Sequence, residues 1–424
     1  SFLIRILPVS FLILFSFNSK LISGTLASDI SKGKIMRVKV TNPANMGRKD
    51  EVIPLPIGDL KKVNPRFNEN AFVVYDGETQ LPAQCEDIDG DGKADNIIIL
   101  TDLKPNESKT LAIESGMLPE KEYTKRTHAE ISVKTGYKLV NGVYTGGEFH
   151  SVKEVEMPQD HFAHDALYKF EGPGWESDRV AYRFYLDSRN RNDIFGKLTG
   201  RMVLQEVGLN DLVSDSRESY TKMCDWGMDI FKVGESLGLG SIGMMRSGKV
   251  NTVSKVDKVN SIVTSDGPIR SSILNIYSGW MVDSLRFNIS SLLSISAGSR
   301  LTKTDLTISG SPENIVTGIA KHEGCLLVKD TNSHRWGYIA SYGAQSLAGD
   351  NLGLVIFFRQ SDLIKVTEDS VSYIVELKPK DGKVGYFFGA AWQKELNGLK
   401  TEEEFRNYLD EEAGRLSNPV VIEL

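Results

Sequence analysis

The feature that most limits what this chain can become is a succession of apolar runs too brief for helices. "KIMRVKVTNP", "FVVYDG", "NIIILTDL", "KTLAIES", "AEISVKTG" and "RMVLQEVG" fill the first half. "SSILNIYSGWMVD", "RLTKTDLTIS", "WGYIASYG", "LGLVIFF", "SYIVELKP" and "VGYFFGAAW" continue the pattern. Each is rich in Val, Ile and aromatics and is bounded by Gly, Pro, Asn or Asp, which is how strands of an antiparallel fold read. One stretch alone reads as helix, "TEEEFRNYLDEEAGRL", and it opens with Thr401 and Glu404 at capping-box spacing. Many short strands with one helix predict an all-β sandwich or barrel.

The 424 residues suffice for one large β domain or two ordinary ones. Arg5 precedes an apolar run, Ile6 to Phe17, broken by Pro8, Ser10 and Ser16 and followed by Ser23, Gly24, Ala27 and Ser28. This pattern predicts a secretory signal peptide over residues 1–27 and a periplasmic or secreted protein, the alternative being an N-terminal anchor. No later segment is apolar enough to span a bilayer. A polar boundary, "LPEKEYTKRTHAE", divides a small N-terminal β module, 28–120, from a large β-sandwich domain, 121–424. Cys85, Cys224 and Cys325 are odd in number and far apart, so they read as buried thiols rather than a disulfide scaffold. The formal net charge of -6 argues against a nucleic-acid partner, yet it leaves room for a basic pocket that takes a small anion.

Chemistry concentrates in "GPGWESDRVAYRFYLDSRNRND", residues 172–193. With period two, Val180, Tyr182, Phe184 and Leu186 share one face of a strand, and Arg179, Ala181, Arg183, Tyr185 and Asp187 the other. The first face belongs in a core. The second predicts a solvated, concave sheet surface, because unpaired buried charge is very costly. Arginine forks there suit a carboxylate or sulfate. Trp175 offers a flat surface for a sugar ring, and Glu176 and Asp178 offer acid/base groups. The bland alternative is a surface laced with ion pairs of little energetic consequence. Three of the six histidines, His150, His161 and His164, lie just upstream, and imidazole suits proton transfer near neutrality. His322 and His334 form a second group, with Glu323, Arg335, Trp336 and Tyr338 nearby.

"YTKMCDWGMDIFKVGESLGLGSIG" adds Asp225, Trp226, Asp229 and Lys232. Its Gly238, Gly240 and Gly243 formally spell GxGxxG, but without a strand–helix context they read as glycines of a loop turning over a cleft. In "DIDGDGKADN", Asp87, Asp89, Asp91 and Asp95 stand at positions 1, 3, 5 and 9 of a calcium-type loop, whereas position 12 is Ile98 rather than a bidentate Glu. A weak structural calcium and a plain Asp/Gly turn are the two readings. No GxSxG elbow, HExxH or Walker loop occurs.

The blocks "HDALYKFEGPGWESDRVAYRFYLDSRNRNDIFGK" and "DWGMDIFKVGESLGLGSIG", with the "DIDGDGKAD" turn, resemble a bacterial family catalogued as domain of unknown function 4861. The resemblance implies a galactose-mutarotase-like β-supersandwich in exported proteins of polysaccharide utilisation. It also implies a dehydratase (hydro-lyase) activity that removes water from the unsaturated uronate end of lyase-generated oligosaccharides, as from ulvan. The family pattern carries onto Trp175, Glu176, Asp178, Arg179, Tyr182 and Arg183, then Asp225, Trp226, Gly227, Asp229 and Lys232. Where members often have Tyr-His before DWG, this chain has Tyr220-Thr221.

These readings converge on an enzyme acting on an acidic oligosaccharide, with no membrane contact after signal removal. The expected catalytic groups are His164, His161 or Tyr182 as base, Arg183 or Arg179 for the carboxylate, and Glu176, Asp225 or His150 as acid. Trp175, Asp178, Arg179, Trp226, Lys232 and His334 are expected to bind substrate. Two rival readings are a glycoside hydrolase using Glu176 and Asp225, and a carbohydrate-binding protein without catalysis.

Overall fold

The computed structural model describes residues 35–119, 122–209 and 220–424. The expected signal peptide lies outside the described residues. Among these residues no helix is long and apolar enough to cross a membrane.

The alternating runs become antiparallel strands. The largest sheet has nine, in spatial order Glu154–Glu156, Lys258–Asp266, Arg270–Val282, Leu285–Ser296, Leu301–Ile308, Lys383–Trp392, Leu352–Arg359, Trp336–Gly343 and Leu326–Asp330. Two smaller sheets supply the opposing layer. One is five-stranded and centred on Ile315–Ala320. The other is six-stranded, in the order Glu148–Val152, Thr127–Thr135, Gly174–Ser177, Val180–Phe184, Asn192–Lys197 and Gly227–Asp229. One apolar cluster joins the layers, with Trp175, Tyr182 and Ile194 from one side meeting Ile273, Trp280, Phe388 and Trp392 from the other. The fold is thus the expected all-β sandwich.

The N-terminal strands form a five-stranded and a three-stranded sheet around their own core, which includes Val38, Ile53, Val74, Ile99 and Ile113. The chain's last strand, Val421–Glu423, returns to pair with Met36–Thr41. The predicted helix spans Glu402–Ser417. Thr401 accepts from the Glu404 amide while the Glu404 side chain accepts from the Thr401 amide, the reciprocal capping box. Its apolar face, Phe405, Leu409 and Ala413, covers Tyr338, Tyr342 and Phe357.

Three local expectations differ. "RMVLQEVG" is not a strand: Leu204–Glu206 form a 3-10 turn, whose first two amides, at Val203 and Leu204, are held by Glu176. Ile57–Val63 is a second helix, too short to show a helical period. Cys85, Cys224 and Cys325 are only half-buried rather than fully so.

Candidate active site

The strands Gly174–Ser177, Val180–Phe184 and Asn192–Lys197 pair so that Trp175 stands opposite Tyr182, and Arg183 opposite Asp193. Both faces of the central strand are buried. The Arg183 face is therefore not the solvated surface that its charges suggested. Arg183 is 4 % exposed and Asp187 1 %. Charge is tolerated there because acids on neighbouring strands meet it.

Arg183 donates from Nη2 to Asp193 Oδ2 and to Asp229 Oδ2, each at 2.6 Å. The Tyr185 hydroxyl donates to the same Asp193 oxygen. The guanidinium also lies about 5 Å from the rings of Tyr185, Phe195 and Tyr220. Two buried polar groups in this cluster are loosely held: Arg183 Nη1 lies 3.5 Å from Glu171 Oε2, and the Tyr220 hydroxyl faces the Arg183 guanidinium. Burial pushes the Asp229 carboxyl well above the ordinary carboxylate range. The Asp193 charge adds to that push, and Arg183 only partly opposes it.

The cluster reaches solvent through three residues. Glu171 Oε1 lies 2.5 Å from His164 Nδ1 and accepts from Arg189 Nη2 at 2.8 Å. Arg189 stacks on Tyr185, 3.8 Å from the ring centroid. Burial would raise the Glu171 pKa, but the His164 hydrogen bond and the Arg183 and Arg189 charges outweigh it and bring it down to about 2. Glu171 is thus an ionised acceptor, and His164 Nδ1 carries the donated proton. The His164 side chain is 44 % exposed.

The backbone of this segment is strained. His164, Ala166, Phe170 and Glu171 have φ of 69°, 63°, 44° and 72°, a left-handed region that non-glycine residues avoid. Four such residues within eight, beside a paired imidazole, mark a segment held in place by its surroundings.

The other expected site residues separate into distinct places. His161 is turned inward: its Nδ1 lies 2.6 Å from Asp165 Oδ2, its ring stands edge-on to Tyr168, and its Nε2 is buried without a partner. Trp175 is fully buried, donates from Nε1 to Thr302 Oγ1 at 2.8 Å and stacks on Tyr182, so no sugar reaches it. Tyr182 donates to the Arg300 carbonyl and accepts from the Ala390 amide. Burial pushes its pKa up, and it cannot serve as a base. Glu176 is enclosed, salt-bridged to Lys197 Nζ at 2.5 Å and hydrogen-bonded by the Val203 and Leu204 amides. Trp226 is 8 % exposed and packs edge-on against Phe195.

Asp225 is solvated, with Arg201 Nη2 4.0 Å away. An enclosed Glu176 and a solvated Asp225 cannot flank one saccharide, so the hydrolase pair is not formed. His150 is exposed on the edge strand Glu148–Val152. Lys232 is exposed near His322. Burial first, and then the Lys232 charge, lower the pKa of that histidine. Asp178 and Arg179 line a cleft of about 650 Å³ with Lys125, Arg126, His128 and Arg201. His334 lines another, of about 880 Å³. Gly238 and Gly240 are buried, and a Cβ on Gly240 would meet the Phe388 ring at 2.3 Å. Those glycines serve core packing rather than a loop over a cleft.

In the aspartate loop, Asp87, Asp89 and Asp95 bring one oxygen each within 4.8 Å of one another. Asp91 instead pairs with Lys93 at 3.2 Å. Asp87 accepts from the Gly90 and Gly92 amides, and Asp95 from the Ile88 amide. This oxygen set fits a hard cation such as calcium.

The sequence reading missed Glu171, Tyr185, Arg189 and Asp193 as site residues. Tyr185 gave a signal, since period two puts it on the Arg183 face, whereas Glu171 enters through a left-handed segment that no sequence period marks.

A family model described as "Domain of unknown function (DUF4861)" matches residues 40–422, and the chain belongs to that family. Uncharacterized protein P7 of Formosa agariphila is 21% identical over 420 residues, covering 91% of this chain and 93% of its own. Two solved structures align over 92% of the chain. They are an α-mannosidase from Enterococcus faecalis V583, at 11% identity and a TM-score of 0.45, and a glycosyl hydrolase family 38 protein from Enterococcus faecalis, at 10% and 0.46. This chain spans about half of their length, 46% and 47%.

Proposed function

We propose that the protein is a carbohydrate-active hydro-lyase that removes water from the unsaturated uronate end of lyase-generated oligosaccharides, such as those from ulvan. One observation carries this reading: a solvent-reached imidazole, His164, oriented by an ionised carboxylate, Glu171, which is itself held by Arg189 and backed by Arg183.

Elimination of water needs a base for a carbon-bound proton, a cation for the charge that develops on the uronate carboxylate, and a proton for the leaving hydroxyl. His164 Nε2 takes the proton, and Glu171 stabilises the imidazolium. Arg189, at the rim, meets the carboxylate, with Arg183 fixed behind it by Asp193 and Asp229. Enclosure removes Glu176 as the acid, so the protonated His164 returns its proton to the departing hydroxyl. The C–H and C–O bonds break, a double bond forms and water leaves.

Mass spectrometry of unsaturated uronate oligosaccharides incubated with the protein tests this reading. Loss of one water at unchanged chain length is expected. His164→Gln should lower turnover by roughly 10²- to 10⁴-fold, the usual worth of a general base. Release of a terminal sugar would replace the lyase with a hydrolase, and no change in any substrate would leave a binding protein.

A further inference from the structure

The cleft of about 880 Å³ lies at the end of the nine-stranded sheet, where the strand starting at Trp336 meets the last turn of the Glu402–Ser417 helix. It is lined by Ser333, His334, Arg335, Trp336, Arg359, Gln360, Ser361 and residues 416–419, and shares none of them with the His164 cluster. Its lining holds basic side chains and no acid. That is unusual here, because most arginines described above are paired. Among the described residues, neither Arg335 nor Arg359 has a side-chain hydrogen bond or ion pair. The Arg359 guanidinium is held instead over the Trp336 ring, 5.2 Å from its centroid, an arrangement that leaves its N–H edge free.

Two further features point to a ligand. Gln360 Nε2 is buried without a hydrogen-bond partner, a cost that native structures rarely carry unless something satisfies the group. Trp336 is anchored at its backbone by the Ser417 hydroxyl and at its ring by Phe387, so with Arg359 over it the indole is a fixed, half-buried support that presents an edge to the cleft. Free guanidinium forks, an orphan amide donor and a rigid indole together match one chemistry: a sugar ring that carries a carboxylate or sulfate.

We propose that this cleft is a second binding site for an acidic saccharide unit, separate from the His164 site. The sugar packs at the edge of the Arg359–Trp336 stack, the anion pairs with Arg335 and Arg359, and the Gln360 amide donates to a ring hydroxyl. The inference stands on this cleft alone and does not depend on the reaction at His164.

Calorimetric titration of the His164→Gln chain with a uronate oligosaccharide counts the sites without turnover. The same chain carrying Arg335→Gln and Arg359→Gln, both at exposed positions, should lose one equivalent of binding. At the least, that site should weaken roughly tenfold or more, as expected for lost charge-assisted hydrogen bonds. A neutral oligosaccharide of equal length should not fill the site. Unchanged stoichiometry and affinity in the double variant would overturn the proposal, as would equal binding of the neutral sugar. Equal binding of free sulfate or acetate would reduce the site to a bare anion pocket and overturn the saccharide assignment. Turnover by the Arg335→Gln, Arg359→Gln chain with His164 intact, read in parallel, separates failure of this site from failure of the lyase reading.

Discussion

At Arg183 a single guanidinium nitrogen serves two carboxylates, Asp193 and Asp229. One cation cannot fully compensate two buried anions, so one acid holds its proton more tightly than usual, and burial selects Asp229. The sign of the pH dependence follows. A carboxyl whose folded pKa lies above its unfolded value of roughly 3.9 contributes fully below that value. Its contribution is lost as pH rises through the folded pKa. Asp229→Asn, which mimics the protonated acid, should therefore match the wild type near pH 4 and become progressively more stable than it towards pH 9. Thermal melts of both proteins across that range measure the difference, and a constant gap would show that Asp229 is ionised throughout. The sequence displayed Arg183 and Asp229 as chemically capable groups. It could not show that Arg183 is enclosed, because alternation assigns a residue to a face and does not say what covers that face. Trp175 illustrates the same limit, since an indole before a charged strand reads equally as a sugar platform or a core anchor.

At the scale of elements, the strand periods and the helix were legible because each is a local pattern. The Thr401–Glu404 box is a four-residue signal, and it formed as read. Cross-strand register was not legible. Arg183 faces Asp193 only because the turn between them fixes the pairing, and Glu171 joins them through a left-handed segment that no propensity predicts. Gly172 ends that segment at φ 154°, where a Cβ would stand 2.1 Å from the Phe184 carbonyl oxygen. Gly172→Ala must displace backbone on one side or the other. A loss of about 3 kcal/mol is expected from overpacking and strain together. Turnover should fall as well, because Glu171 is the adjacent residue. Urea unfolding with a parallel assay tests both parts, and a variant of unchanged stability would mean that the segment shifts freely.

Across the whole molecule, the aspartate loop is where the N-terminal sheets meet the sandwich. It joins the strands Ala83–Glu86 and Asn96–Leu103, and its Gly90 sits with Leu274, Thr264 and Ile262 of the nine-stranded sheet within 3.7 Å of a Cβ position. Beside it, Glu86 pairs with Arg270 at 3.1 Å, and Gln84 Nε2 donates to the Arg270 carbonyl at 2.8 Å. A cation on Asp87, Asp89 and Asp95 would relieve their mutual repulsion and stiffen this junction, so its stabilisation would register in global unfolding rather than at the loop alone. Ligand linkage gives about 2.7 kcal/mol when calcium is at 100 times its dissociation constant, which is a rise of roughly 2–4 °C in Tm or less for a chain this long. Millimolar calcium should produce such a rise, EDTA should reverse it, and Asp95→Asn should abolish the response while leaving the EDTA-treated melting point nearly unchanged. A calcium-independent Tm in the wild type would mean that the amides of Ile88, Gly90 and Gly92 alone hold the turn. The junction would then owe its stability to the Glu86–Arg270 pair and the apolar contacts around Gly90.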